Sequence, residues 1–302
     1  MDTKVHEREV AAPREAATAS DPRALAAGLV TVTLWGSAFV AIRDAGHTLS
    51  PGALTLGRLL VSSLILGIAA AVWREPLPAR RDLVGIAAFG LLFLGVYSVS
   101  LNAAERRVDA GTAAMLINTG PILIAVLAGL VLHEGFPGRL FSGGAVAFAG
   151  CVLIGLATSH ASPRAGPGIA LLVVAALAYA AAVVVQKSVL ARASPLQVTW
   201  LGCAAATVAC LPFAPALAGD LDGAGAAPIG WVVYLGVVPT ALGFATYGYA
   251  LRRTSAGRLA SLTYLIPVVA TLLAWAILGE TPPWPAAVGG ALCVAGVALA
   301  RR

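Results

Sequence analysis

The chain has 302 residues, 59% hydrophobic and 11% charged, with a formal net charge of +6. A soluble domain carries about 25% charged residues, so lipid rather than water solvates most of this chain and an ordinary soluble enzyme is excluded. The positive balance comes without a basic cluster interleaved with aromatics, which speaks for membrane topology and against nucleic-acid binding.

Residues 1–22 are polar and read as a disordered cytoplasmic tail; a secretory signal would place a short basic region directly before its apolar core. Ten uncharged apolar stretches follow, at about 24–42, 52–73, 83–104, 110–132, 140–158, 168–187, 195–214, 229–250, 256–278 and 284–300, each near the length that crosses a bilayer. Short connections with helix punctuation separate them, such as Ser50-Pro51, Glu75-Pro76, Ser194-Pro195 and Pro282-Pro283. The longest connection runs from Pro215 to Pro228. With the N-terminus inside, 15 of the 20 Lys and Arg fall on the cytoplasmic side, Arg43, Arg106, Arg107 and Arg164 fall outside, and Arg58 lies within the second span. That asymmetry predicts cytoplasmic N- and C-termini. The four cysteines, Cys151, Cys203, Cys210 and Cys293, sit inside apolar runs without metal-type spacing and read as small core residues.

The stretch AGTAAMLINTGPILIAVLAGLVLHE, residues 110–134, returns 146 positions later as AGRLASLTYLIPVVATLLAWAILGE, residues 256–280. Both open with Ala-Gly, carry a proline at the same place and end in glutamate. The register continues: Gly143, Gly144, Ala145 and Gly150 fall onto Gly289, Gly290, Ala291 and Gly296. An Ala- and Leu-rich chain matches itself easily, but a proline, a glutamate and a Gly-Gly pair in one register are harder to obtain by accident. The pattern predicts an internal duplication, with units at 23–160 and 161–302. Five spans per unit is odd, so the second unit is expected to enter the membrane upside down. The fold class expected is thus an all-α polytopic membrane protein with ten transmembrane helices in two inverted five-helix repeats, and inverted repeats place a binding site between the halves near the midplane.

Pro121 and Pro267 are expected to kink their helices and to free the carbonyls of Ile117 and Thr263, which at this depth need protein or a wet cavity. Three residues before each proline stand Asn118 and Tyr264. The functional reading is a substrate-lining hinge; the bland one is a packing kink. Arg58 lies about two turns into its span, and its counterpart is Gly202. A charge there either serves function or snorkels to the outer interface. Glu134 and Glu280 close the repeated stretch and either relay protons or, more simply, cap the following helix or pair with a nearby arginine. Trp231, Tyr234, Trp275 and Trp284 lie near span ends and read as interface anchors, whereas Trp35, Tyr97 and Tyr179 lie deeper and join Asn118 and Tyr264 as candidate cavity lining. The Gly-Gly pairs permit close helix approach. Neither a catalytic motif nor a cofactor fingerprint is present, so no catalytic residue, cofactor or metal is expected.

The run from Ala110-Gly111 through Pro121 to Glu134, the Gly-Gly that follows, Leu34-Trp35-Gly36 in the first span and the early arginine of the second resemble the EamA-type members of the drug/metabolite transporter superfamily. The resemblance covers about residues 24–300. It implies a basket-like ten-helix fold with a central cavity in a bacterial inner membrane, alternating access, and export of amino acids or related metabolites. Trp35, Arg58, Pro121, Glu134, Pro267 and Glu280 fall at the family's recurrent positions. One departure is Ala178, near where the second repeat often has tryptophan; Tyr179 is adjacent. The expected partners are a small-molecule substrate and the lipid bilayer, with proton coupling and oligomeric state left open. The alternatives are a broad-specificity drug or toxic-compound exporter and, from another class, an intramembrane lipid-modifying enzyme or a membrane scaffold. The enzyme needs acid, base or nucleophile groups gathered at one depth, and the sequence offers none.

Overall fold

A computed structural model describes residues 21–108, 113, 116–158, 166–278 and 283–301. The described residues are helical, with no strand among them. Ten helical elements follow in order: α1 (Pro22–Ala45), α2 (Pro51–Val72), α3 (Arg80–Glu105), α4 (Gly120–Val131), α5 (Gly138–Thr158), α6 (Gly166–Leu190), α7 (Pro195–Leu221), α8 (Ala226–Arg253), α9 (Ala256–Leu262 continuing through Thr263–Leu265 into Ile266–Leu278) and α10 (Trp284–Arg301). Eight of the described helices are long and apolar enough to cross a membrane, and Gly120–Val131 is a shorter apolar helix. Large apolar side chains face outward along these helices, among them Leu64, Val72, Leu130, Leu156, Leu177 and Val208. An apolar exterior of this extent fits lipid as solvent, and the chain is a multi-pass α-helical membrane protein.

Six helix pairings set the architecture. α2 packs on α7, and α5 on α10. α1 packs chiefly on α8 and α9, while α6 packs on α3 and α4, so each of these two helices lies among elements from the other part of the chain. In the α5–α10 pair small residues bring backbones into contact. A Cβ on Gly143 would lie 2.7 Å from the Ala300 Cα, and one on Gly289 3.0 Å from the Ile154 nitrogen. Likewise a Cβ on Gly150 would lie 2.7 Å from the Cys293 nitrogen, and one on Gly296 2.3 Å from the Ala147 nitrogen. As numbers rise along α5 they fall along α10, so the two helices run antiparallel. Adding 146 to one residue of each contact and subtracting it from the other turns the first pair into the second. Any side chain larger than hydrogen at these glycines would force the helices apart. The Sγ atoms of Cys151 and Cys293 meet in the same seam at 3.5 Å, and all four cysteines are free and buried, in keeping with small core residues.

α3 and α8 share a feature that hydropathy does not reveal. Each loosens into a π-helical stretch, Gly90–Tyr97 in α3 and Gly236–Leu242 in α8, starting at glycines 146 residues apart. In α8 the cause is Pro239, which lies inside the stretch. A proline has no amide proton and pushes away the carbonyl four residues back, here that of Leu235. The Thr240 hydroxyl takes that carbonyl at 2.6 Å. In α3 there is no proline; a Cβ on Gly90 would stand 2.2 Å from the Gly202 carbonyl oxygen of α7, and the helix widens where it is pressed against that neighbour.

Candidate functional site

The paired prolines do not kink continuous helices. Pro121 occupies the first turn of α4, just after an Asn118–Thr119 turn, and Pro267 occupies the first turn of the segment that restarts after Thr263–Leu265. A first-turn proline sacrifices no intrahelical hydrogen bond, so the chain is interrupted at the Asn118–Thr119 turn before α4 and tightens through Thr263–Leu265 within α9. The Thr263 carbonyl, expected to be free, accepts from the Ile266 amide as the tight turn closes. Asn118 and Tyr264 lie in the two breaks and both are buried. Pro121, Ser261 and Tyr264 together line a small open recess between α4, α5 and α9.

The deeper aromatics come together around a residue the sequence reading passed over. Phe93, at the centre of the α3 π stretch, has ring centroids of Tyr179, Tyr97 and Trp35 at 4.8, 5.3 and 5.8 Å, and Phe244 at 4.7 Å. Trp35 also packs on Phe244 at 5.1 Å and Tyr247 at 5.0 Å, and Tyr97 meets Tyr179 at 5.7 Å. Edge and tilted approaches of this kind suit aromatic rings and make a wall of mixed apolar and hydroxyl character. The Trp35 indole donates to the Pro239 carbonyl at 3.1 Å. The Tyr179 ring lies against Gly120, where a Cβ would stand 2.6 Å away, and so links the wall to the α4 break.

Four polar side chains of this region are buried with no partner at hydrogen-bonding distance among the described residues: the hydroxyls of Tyr179, Tyr247 and Tyr264 and both ends of the Gln186 amide; the Tyr179 hydroxyl has those of Tyr247 and Thr263 as its neighbours. Each such group forfeits about 1–3 kcal/mol relative to water. Gln186 stands two turns along α6 from Tyr179, on the same face. Orphaned donors and acceptors in this number need an explanation, and a polar ligand or entering water supplies one.

Arg58 does not snorkel. Its Nε donates to the Thr240 hydroxyl oxygen at 3.0 Å, and Thr240 is fully buried. The sequence carried a signal for this contact in Pro239, an intramembrane proline beside a hydroxyl residue.

Glu134 caps a helix, but not the one that follows it. Both its oxygens accept from the Ala256 amide, at 2.8 and 3.1 Å, at the start of α9. A carboxylate at a helix N-terminus is favoured by the aligned peptide dipoles. Beside it Lys187 donates to the carbonyls of Leu251 and Thr254 at 2.5 and 2.6 Å, closing the end of α8. Asp82 and Arg192 pair at 2.6 Å, and Ser194 donates to Glu75, so this end of the bundle is fastened by polar contacts. Glu280 lies outside the described residues. Trp231 and Tyr234 fasten α8 to α1 through Asp44 and Ser37, while Trp275 and Trp284 are exposed.

A sequence model of the EamA-like transporter family matches the chain twice, over residues 22–156 and 166–302. The chain is 38% identical over 287 residues to a protein of Streptantibioticus cattleyicolor named a probable terminal-alkyne amino-acid exporter, covering 93% of this chain and 94% of that one. It is 26% identical to a probable amino-acid metabolite efflux pump of Salmonella typhimurium, covering 89% and 91%. A crystal structure of a protein 22% identical in sequence superposes with a TM-score of 0.76 over 93% of this chain and 97% of the other, and shares the fold.

Proposed function

Since the chain belongs to the EamA-like transporter family, we propose that it exports small amphipathic metabolites, amino acids foremost, across a bacterial inner membrane. Both termini lie in the cytoplasm on this reading, as the Lys and Arg distribution requires. Two five-helix units, 23–160 and 161–302, insert with opposite orientation and together cross the bilayer ten times. The double family match and the reciprocal antiparallel contacts of α5 and α10 support that arrangement. Both relatives named above are described as moving amino acids or their metabolites outward, which favours the same class of cargo here.

The observation that carries the proposal is the aromatic wall of Trp35, Phe93, Tyr97 and Tyr179 set against the break at Gly120-Pro121, with buried hydroxyls awaiting partners. Rings hold an apolar side chain while hydroxyls and break-site polar groups hold an ammonium or carboxylate. Rocking of the two halves about the α4 and α9 breaks then opens the site to one side at a time. The test is efflux from proteoliposomes loaded with a panel of amino acids and, in parallel, cationic dyes. Faster efflux of amino acids than from protein-free vesicles is expected; dye efflux alone would make the protein a drug exporter, and no efflux of either would end the transport reading.

A further inference from the structure

The geometry points to Arg58 as the anchor for a substrate carboxylate, with the edge of its guanidinium that carries Nη1 and Nη2 presented to the solute. The inference rests on the transport reading above and names the charged group that the cargo must carry.

Thr240 is the first support. Its hydroxyl proton is committed to the Leu235 carbonyl at 2.6 Å, so its oxygen faces Arg58 as an acceptor, and Nε is held at 3.0 Å. An arginine held at Nε keeps its two terminal nitrogens parallel and outward, the fork that matches both oxygens of a carboxylate. Among the described residues no carboxylate pairs with Arg58, and no other hydrogen bond engages its guanidinium. A cation about two turns inside the bilayer without a counter-ion is costly, and an anionic ligand removes that cost.

Position is the second support. Pro239 and Thr240 are consecutive on the α8 π stretch; the first holds the Trp35 indole and the second holds Arg58. A solute whose carboxylate sits on Arg58 therefore has its apolar part directed toward Trp35 and Phe93. That is the shape of an amino acid with an apolar side chain.

The experiment compares leucine and phenylalanine with their carboxamides, which keep size and ammonium and lose the negative charge. Binding to the purified full chain is read from quenching of tryptophan fluorescence, and transport from proteoliposome efflux. Wild type is expected to prefer carboxylate over carboxamide by about tenfold or more, as sites built around a charged hydrogen bond do. Arg58→Gln is expected to bring that ratio near one by weakening the carboxylate alone, with carboxamide binding unchanged. Arg58→Lys keeps the charge without the fork and retains an intermediate ratio. Thr240→Val releases Nε and lowers the ratio without abolishing it. An unchanged ratio in Arg58→Gln overturns the anchor, as does equal loss of both ligands, or a wild-type response to chloride that carboxylates do not exceed. Should wild-type vesicles release no amino acid while the purified protein still prefers the carboxylate, the transport reading fails and the anchor stands.

Discussion

The two halves of the chain build the same devices from different residues. α1 and α6 each lay an aromatic ring against the third helix of the opposite half: Trp35 on Phe244 and Tyr247, Tyr179 on Phe93 and Tyr97. The Trp35 indole reaches the carbonyl of Pro239 itself, whereas the Tyr179 hydroxyl finds no carbonyl in the α3 π stretch. The second helices diverge more. The backbone approach is kept in both, the Gly202 carbonyl on Gly90 and the Arg58 carbonyl on Gly236, but only Arg58 adds a side chain, turned inward onto Thr240. Both copies of the position keep the close approach and one alone carries a charge, so similar packing surrounds a one-sided feature. The lesson is that the shared packing sets the seams, and a departure from it places the Arg58 charge.

The sharpest way to break the comparison is to fill the close approach. Gly90→Leu places a side chain against the Gly202 backbone and Gly202→Leu drives one into the buried Phe89 ring, and overpacking of this kind costs about 3 kcal/mol where neither partner can give way. Loss of the monodisperse protein in detergent is expected for both, and normal assembly of either would mean that α3 and α7 can separate freely. Next in size are the breaks. Pro121→Ala and Pro267→Ala restore an amide proton at a first-turn position that does not need one, so the helices still insert. Removing the fixed dihedral lets each break heal toward a continuous helix, and efflux is expected to fall severalfold in both. Unchanged export in both variants would remove the hinge.

Much of the architecture was legible because it depends on features that survive in one dimension. Apolar length gives the helices, and the Gly-Gly pairs announce close helix approach, though not that α5 and α10 are the helices that meet. Trp35, Tyr97 and Tyr179 could be singled out because polar or amphipathic rings deep in apolar runs stand out. Phe93 and Phe244 could not, since a phenylalanine in an apolar span looks like lipid-facing bulk until the helices are assembled. For Glu134 a cap was one of the readings offered, but for the helix that follows it; its partner is the amide of Ala256, which lies 122 positions away and which local spacing cannot indicate. Pro239 was the missed signal: an intramembrane proline followed by threonine announces a displaced carbonyl and a hydroxyl to meet it, and that pair positions both Trp35 and Arg58.

The smallest effect discriminates most finely between the halves. Tyr179→Phe deletes a hydroxyl that has no partner among the described residues and leaves its ring packing intact. Removing an unsatisfied buried donor relieves about 1 kcal/mol, so the variant is expected to melt at the same temperature as wild type or slightly above it. Trp35→Phe, in contrast, strips the donor from a satisfied bond and leaves the Pro239 carbonyl bare, so its melting temperature is expected to drop. If the Tyr179 hydroxyl meets substrate during transport, Tyr179→Phe separates the two properties: stability is kept or gained while efflux slows. Thermal unfolding in detergent, run beside proteoliposome efflux, reads both. A Tyr179→Phe protein that loses stability would show that the hydroxyl is already satisfied in the resting state, and the second half would then be as complete as the first.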